Sequence, residues 1–250
     1  MSYDVTVSGT NYEGIEKVQL PITGTSRYAD FVSPEYAESI VDNTVTTFES
    51  STLTKVPRYK FMGCNKLTKF NAPNLSNIDI SAFDGCTALA EFNFIKVATI
   101  ANSAFYGCKA LTGTIEFPVL ANAIGKNAFQ GCTGIEKVVL PNMKQTGTGM
   151  FNGCTSLKVI DLGGLNSIYN IATQAFVNCS ALEALIIRSN NVIPGTTDSL
   201  IGTPIANGTA SDTCFIYVPS ALVDSYKQQS GWNTYANQFR AIEDYPEICG

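Results

Sequence analysis

A seven-residue signature recurs six times in this chain, and that recurrence decides what it can fold into. It reads Phe61-Met62-Gly63-Cys64-x-x-Leu67, then Phe83-Asp84-Gly85-Cys86-x-x-Leu89, Phe105-Tyr106-Gly107-Cys108-x-x-Leu111, Phe129-Gln130-Gly131-Cys132-x-x-Ile135, Phe151-Asn152-Gly153-Cys154-x-x-Leu157 and Phe176-Val177-Asn178-Cys179-x-x-Leu182. Successive cysteines fall 22, 22, 24, 22 and 25 residues apart. A period of about 20–29 residues signals stacked supersecondary units. So short a unit cannot bury its own apolar face, whereas stacked coils share one continuous core.

Each signature is followed by a short alternating run, such as Leu67-Thr68-Lys69-Phe70-Asn71-Ala72-Pro73 or Ile135-Glu136-Lys137-Val138-Val139-Leu140-Pro141, which predicts a strand with one buried face. Pro73, Pro118 and Pro141 end their strands, because proline has no N–H for a ladder. A second apolar position precedes the phenylalanines of five of the six units, as Val56, Ile78, Ile100, Ile124 and Ile171. The corner glycine supplies a left-handed backbone, with Asn178 as its usual substitute. The stretch 142–150 departs from the pattern with two glycines, which predicts a looser turn there.

Composition narrows the function classes. The 16 basic residues are scattered and the net charge is −5, unlike the concentrated basic footprint of a nucleic-acid binder or a protein that holds anionic membrane surfaces. No run approaches the roughly 18 apolar residues of a membrane span. The first residues, Met1-Ser2-Tyr3-Asp4-Val5, lack the basic and apolar regions of a secretory leader, so export would use a removed leader or another route. Histidine is absent from the chain, which removes Ser-His-Asp and Cys-His nucleophile activation and His-ligated zinc.

The pattern Leu-x-x-Ile/Phe-x-Leu/Phe-Pro, then Ile-x-x-x-Ala-Phe-x-Gly-Cys-x-x-Leu, resembles the BspA-like leucine-rich-repeat proteins of bacterial surfaces and some protozoa, over roughly residues 53 to 219. The expected fold is an α/β repeat solenoid, a right-handed leucine-rich repeat of short strands and turns with about six coils and a strand-plus-helix C-terminal cap. Expected divisions are a β-rich capping segment over 1–52, the solenoid over 53–187, and a degenerate last repeat with a polar protruding loop and the C-terminal cap over 188–250. In the cap, Ile216 to Pro219 reads as a strand and Ser220 as the N-cap of the following helix. In the N-terminal segment, Val5, Val7, Val18 and Leu20 suggest strands, and Pro34 could open a short helix. The segment Tyr12 to Val18 is also somewhat similar to short N-terminal segments of phage-associated proteins.

Three residue columns could be read as chemistry. Thiols stacked about 5 Å apart lie within reach of disulfides, yet parallel side chains are poorly oriented for bonding, so a buried column of unbridged thiols is expected. Cys214 and Cys249, outside the ladder, are expected to be unbridged too. The Phe61 to Phe176 column is expected to be core spine, not an aromatic platform. Glu91, Glu116, Glu136, Asp161 and Glu183 recur near strands, and a facing pair 5–9 Å apart could serve a glycosidase. Mixed with Lys69, Lys137 and Lys158, they read instead as an ordinary sheet surface.

Strand alternation makes the outward pairs Lys69 and Asn71, Glu91 and Asn93, Thr114 and Glu116, Lys137 and Val139, Val159 and Asp161, and Ala184 and Ile186. The face starts polar and turns apolar. Lys137, Val139, Val159, Asp161, Ala184 and Ile186 are therefore the expected partner-binding residues, unless the 188–213 loop or the terminal helix covers them. The resemblance implies a non-catalytic adhesion scaffold at a bacterial surface, recognising a protein or glycan partner in host interaction, with no cofactor or metal. The alternative is a structural or receptor-binding protein of a phage particle.

Overall fold

The computed structural model describes residues 44–122, 124–165, 171–195, 198–206 and 214–250, together with the backbone of Val5–Val7 and Thr10–Tyr12. These residues form a parallel solenoid of about eight turns. One face carries the strands β3 (Thr47–Glu49), β5 (Lys69–Asn71) and β7 (Glu91–Phe92), then β9 (Gly113–Glu116), β10 (Ile135–Leu140), β11 (Val159–Leu162), β12 (Ala184–Ile187), β13 (Phe215–Val218) and β14 (Phe239–Ala241). Within each of the two groups, every strand pairs in parallel with its neighbour. The hairpin of β1 (Val5–Val7) and β2 (Thr10–Tyr12) adds antiparallel to β3 at the N-terminal end. The expectations on Val18, Leu20 and Pro34 lie outside the described residues.

A second ladder, β4 (Lys55–Val56), β6 (Asn77–Ile78) and β8 (Thr99–Ile100), runs along another side of the coils. It carries the second apolar position of the first three units inward: Val56, Ile78 and Ile100 are all buried. The remaining side consists of turns. Among the described residues, α-helix occurs only in the C-terminal cap, at Val223–Gln228 and Pro246–Cys249.

The signature makes the corner of every coil. Phe61, Phe83, Phe105, Phe129 and Phe151 stack ring on ring at 5.0–5.2 Å between centroids, and Phe176 follows at 6.4 Å. A shorter stack of Phe48, Phe70 and Phe92 meets the first edge to face. Offset and edge-on contacts of this kind add to the burial of large apolar area. Between coils the corner backbones bond in register, for example Phe129 N–H to the carbonyl of Met150 at 2.8 Å.

The thiols have a role that spacing alone does not reveal. Cys86, Cys108, Cys132, Cys154 and Cys179 each donate S–H to the carbonyl of the phenylalanine one coil earlier, at 2.9–3.2 Å. The position needs a small, apolar side chain with one donor, which is what cysteine offers. All eight cysteines are buried and none forms a disulfide. Burial pushes the Cys132 and Cys179 thiols up to about 12, so they remain protonated donors.

Each corner also holds a left-handed residue two positions before its phenylalanine: Tyr59, Ser81, Ser103, Asn127 and Gln174 have φ of 48–61°. In the 142–150 coil this place falls to Gly149, at φ 61°. The turn is thus not loose; glycine there relieves a strain the other coils carry, and Phe151 N–H still meets the Ala175 carbonyl at 2.9 Å.

The degenerate stretch contains a seventh corner, Leu200-Ile201-Gly202-Thr203. Phe176 N–H bonds the Ser199 carbonyl and Asn178 N–H that of Ile201, repeating the inter-coil pattern, and Gly202 has φ 74°. Leu200 takes the phenylalanine place and Thr203 the cysteine place. Ile193, Leu200 and Ile205 are buried, so the described part of 188–213 is a coil of the core. The cap closes over it. Trp232 Nε1 donates to the Ile193 carbonyl at 3.0 Å, and Gln238 Nε2 to that of Ile205 at 3.0 Å. Ser220 is not the helix N-cap: Leu222 holds that place, no side chain caps it, and the Ser220 N–H instead meets Glu243 Oε2 at 2.9 Å.

Candidate partner-binding face

The outer surface of the main sheet is built by alternation, broken once where β10 begins. In β10, Ile135, Val138 and Leu140 point into the core, while Lys137 and Val139 face out and are half-exposed. Register then sets two outer columns. One runs Thr114, Lys137, Val159, Ala184, Phe215; the other runs Glu116, Val139, Asp161, Ile186, Tyr217, Arg240. β10 carries one extra residue, Glu136, between Ile135 and Lys137, which pair with the consecutive Gly113 and Thr114 at the start of this second group of strands.

The six expected partner residues divide into two environments. Lys137, Val139 and Val159 remain half-exposed. Asp161, Ala184 and Ile186 are buried, at 7%, 2% and 0% exposure. Residues 242–250 cover Ala184 and Ile186, whereas Asp161 is covered by Arg188, the first residue of the 188–213 stretch. Ala184, Ile186, Tyr217 and Cys249 form a small second core, with Val159, Phe215, Ile242, Tyr245 and Ile248 packed against it. Tyr245 meets Tyr217 edge to face at 5.4 Å.

Asp161 is bound on both oxygens by Arg188, through Nε and Nη2 at 2.8 Å each, and Nη2 also donates to the Cys249 carbonyl. This bidentate fork is a strong and directional arrangement. The Asp161 hydrogen bonds push the Arg188 pKa further up. Burial, reinforced by Cys249 and Tyr245, pushes the Tyr217 hydroxyl up to about 12. Arg240 lies over the Phe215 ring at 4.1 Å, closing the far end of the face.

Toward the N-terminal coils the face is polar. Lys69 reaches Glu49 at 3.5 Å and Glu91 at 3.7 Å, solvated pairs of small energetic weight. Glu91, Glu116, Glu136 and Glu183 are exposed, whereas Asp161 is taken by Arg188. Among the described residues no group of three or more acidic or thiol side chains is placed to hold a metal. No helix among them is long and apolar enough to cross a membrane.

Two exposed apolar residues at the rim escaped sequence reasoning. Ile95 is 60% and Val119 49% exposed, just past the ends of β7 and β9. The signal was available: Ile95 occupies the place that proline takes in Pro73, Pro118 and Pro141.

Stacked parallel coils with a shared interior and a freely varied outer sheet define a repeat solenoid. The model of the BspA type leucine rich repeat region matches six copies over residues 39–112 and 76–197. The chain belongs to that family. Among solved structures it is similar to a leucine-rich repeat protein from Bacteroides ovatus ATCC 8483, at 19% identity and a TM-score of 0.54, over 70% of this chain and 50% of that one. It is also similar to a leucine rich cell surface protein from Faecalibacterium prausnitzii A2-165, at 18% identity and a TM-score of 0.36, over 76% of this chain and 57% of that one. The chain thus spans about half the length of the first. No curated protein matches.

Proposed function

We propose that this chain is a non-catalytic binding scaffold at a bacterial surface, which recognises a protein or glycan partner through the outer face of β9 to β11. The observation that carries the reading is the division of labour along β10: Val138 and Leu140 hold the core while Lys137 and Val139 face out half-exposed. Val159 extends the apolar part and Lys137 and Glu116 frame it with charge of both signs. Apolar centres with polar rims are the anatomy of protein interfaces. Asp161, Ala184 and Ile186 belong to the same columns, but Asp161 is held by Arg188, and Ala184 and Ile186 contribute only where the chain end is lifted away. The family membership supports a scaffold role and the family resemblance a surface location, while the partner must be found by experiment.

Arrays of glycans and extracellular-matrix proteins probed with the intact chain and with Val139→Asp test this. Saturable binding by the parent that is lost in the variant, at unchanged melting temperature, supports the reading. Equal binding by both, or none by the parent, overturns it.

A further inference from the structure

We propose that residues 242–250 form a displaceable strap, which shuts the apolar half of the outer face in cis and opens as a unit while the solenoid stays folded. Its use as a gate rests on the reading of that face as a partner surface; the opening itself does not.

The strap's contacts are separate from those that hold the coils together. The main core runs without interruption from Val45 to Phe239 and includes none of Ala184, Ile186 or Cys249, which belong to the second, smaller cluster. Sheet pairing ends at Ala241. Beyond it, the backbone bonds are local to the strap: Tyr245 N–H to the Ile242 carbonyl, Ile248 and Cys249 N–H to that of Tyr245, and Gly250 N–H to that of Pro246. Such a segment can leave without breaking a ladder bond. Local opening of this kind spans a wide range of free energies below that of global unfolding.

Two polar fasteners hold it. Arg188, fixed by Asp161, takes the Cys249 carbonyl, and Glu243 accepts from the Ser220 N–H. Its apolar residues, Ile242, Tyr245 and Ile248, recur every third position and lie over Ala184, Ile186 and Tyr217. Lifting them joins these three to the half-exposed Val139 and Val159. The result is one apolar strip across β10 to β13, with Arg188 left as a donor for an incoming backbone carbonyl. The strap therefore shows the kind of segment its seat accepts: a short turn of helix with apolar side chains at three-residue spacing.

Cys249 is a native reporter, because it belongs to the strap and is buried only in the second cluster, whereas the ladder thiols lie in the main core. The folded chain is incubated with iodoacetamide, and modification of each cysteine is followed by peptide mass spectrometry. Cys249 is expected to react on the order of 100-fold faster than Cys108, Cys132 or Cys154. Tyr245→Ala, which alters the strap and leaves the main core intact, is expected to speed Cys249 by about tenfold and leave the ladder unchanged. Equal rates at Cys249 and the ladder, a Tyr245→Ala effect common to all eight thiols, or a variant that does not fold, would each show the strap to be an integral part of the fold. Loss of partner binding in Val139→Asp is read on a different axis, so the two proposals can fail separately.

Discussion

Replacing Phe129 with leucine should cost markedly more stability than the same change at Phe176. Phe129 is stacked between Phe105 at 5.0 Å and Phe151 at 5.2 Å, with Phe94 and Phe117 edge-on at 5.9 and 5.7 Å. Among the described residues Phe176 has one ring neighbour, Phe151, at 6.4 Å. Both side chains are fully buried, so loss of transfer free energy is similar for the two. Ring–ring contact separates them. Each well-placed aromatic pair contributes about 0.5–1.5 kcal/mol beyond area, so Phe129→Leu forfeits about 1–3 kcal/mol from its two stacked partners and Phe176→Leu about 1 kcal/mol or less. Urea denaturation followed by circular dichroism reads the difference. With a slope of about 3 kcal/mol per molar urea, the Phe129→Leu midpoint should lie roughly 0.5 M below that of Phe176→Leu. Equal midpoints, or the reverse order, would refute the idea that the rings act as a cooperative spine.

Three further outcomes follow from the same geometry. Burial holds the Cys132 and Cys179 thiols neutral, so their contribution is whole below the ordinary thiol value near 9 and is lost as pH rises toward about 12. The unfolded chain ionises first, and stability should fall above pH 9 by about 1.4 kcal/mol per pH unit for each such thiol; urea midpoints that decline no less steeply in Cys132→Ala than in the parent would contradict this. Gln174→Gly, at an exposed left-handed position with φ 59°, should raise stability by about 0.5–1 kcal/mol, read as an increase in melting temperature. Gly149→Ala should lower stability by about 1–2 kcal/mol in the same assay, since its Cβ would lie 2.3 Å from Asn127 Oδ1 on a left-handed backbone.

Much of this architecture was legible because each coil faces the same geometric demands as the one before it. Phe105, Gly107, Cys108 and Leu111 mean little alone, but their recurrence identifies a corner, an inward ring and a strand start. The seventh corner was harder to read, because Leu200 replaces phenylalanine and Thr203 replaces cysteine; only the inter-coil bonds from Phe176 and Asn178 reveal it. The sulfur-to-carbonyl bonds were invisible for another reason: spacing places a thiol inside but does not say which acceptor it meets. Alternation assigned the outer face correctly as far as Val159. It could not show that Ala184 and Ile186 lie under the chain end, because Arg188 and Cys249 meet across 61 residues and no local pattern encodes such a contact.

The most direct test of the account compares two adjacent residues on one strand. Val138 is buried in the shared core and Val139 is half-exposed on the outer face. Val138→Asp places an unpaired carboxylate in the interior and is expected to cost about 4 kcal/mol or more, abolishing the cooperative melting transition. Val139→Asp is expected to shift the melting temperature by no more than about 2 °C while removing binding on the glycan and matrix arrays. A folded, stable Val138→Asp, or a Val139→Asp that unfolds or binds as the parent does, would contradict the separation of core from partner face on which the account depends.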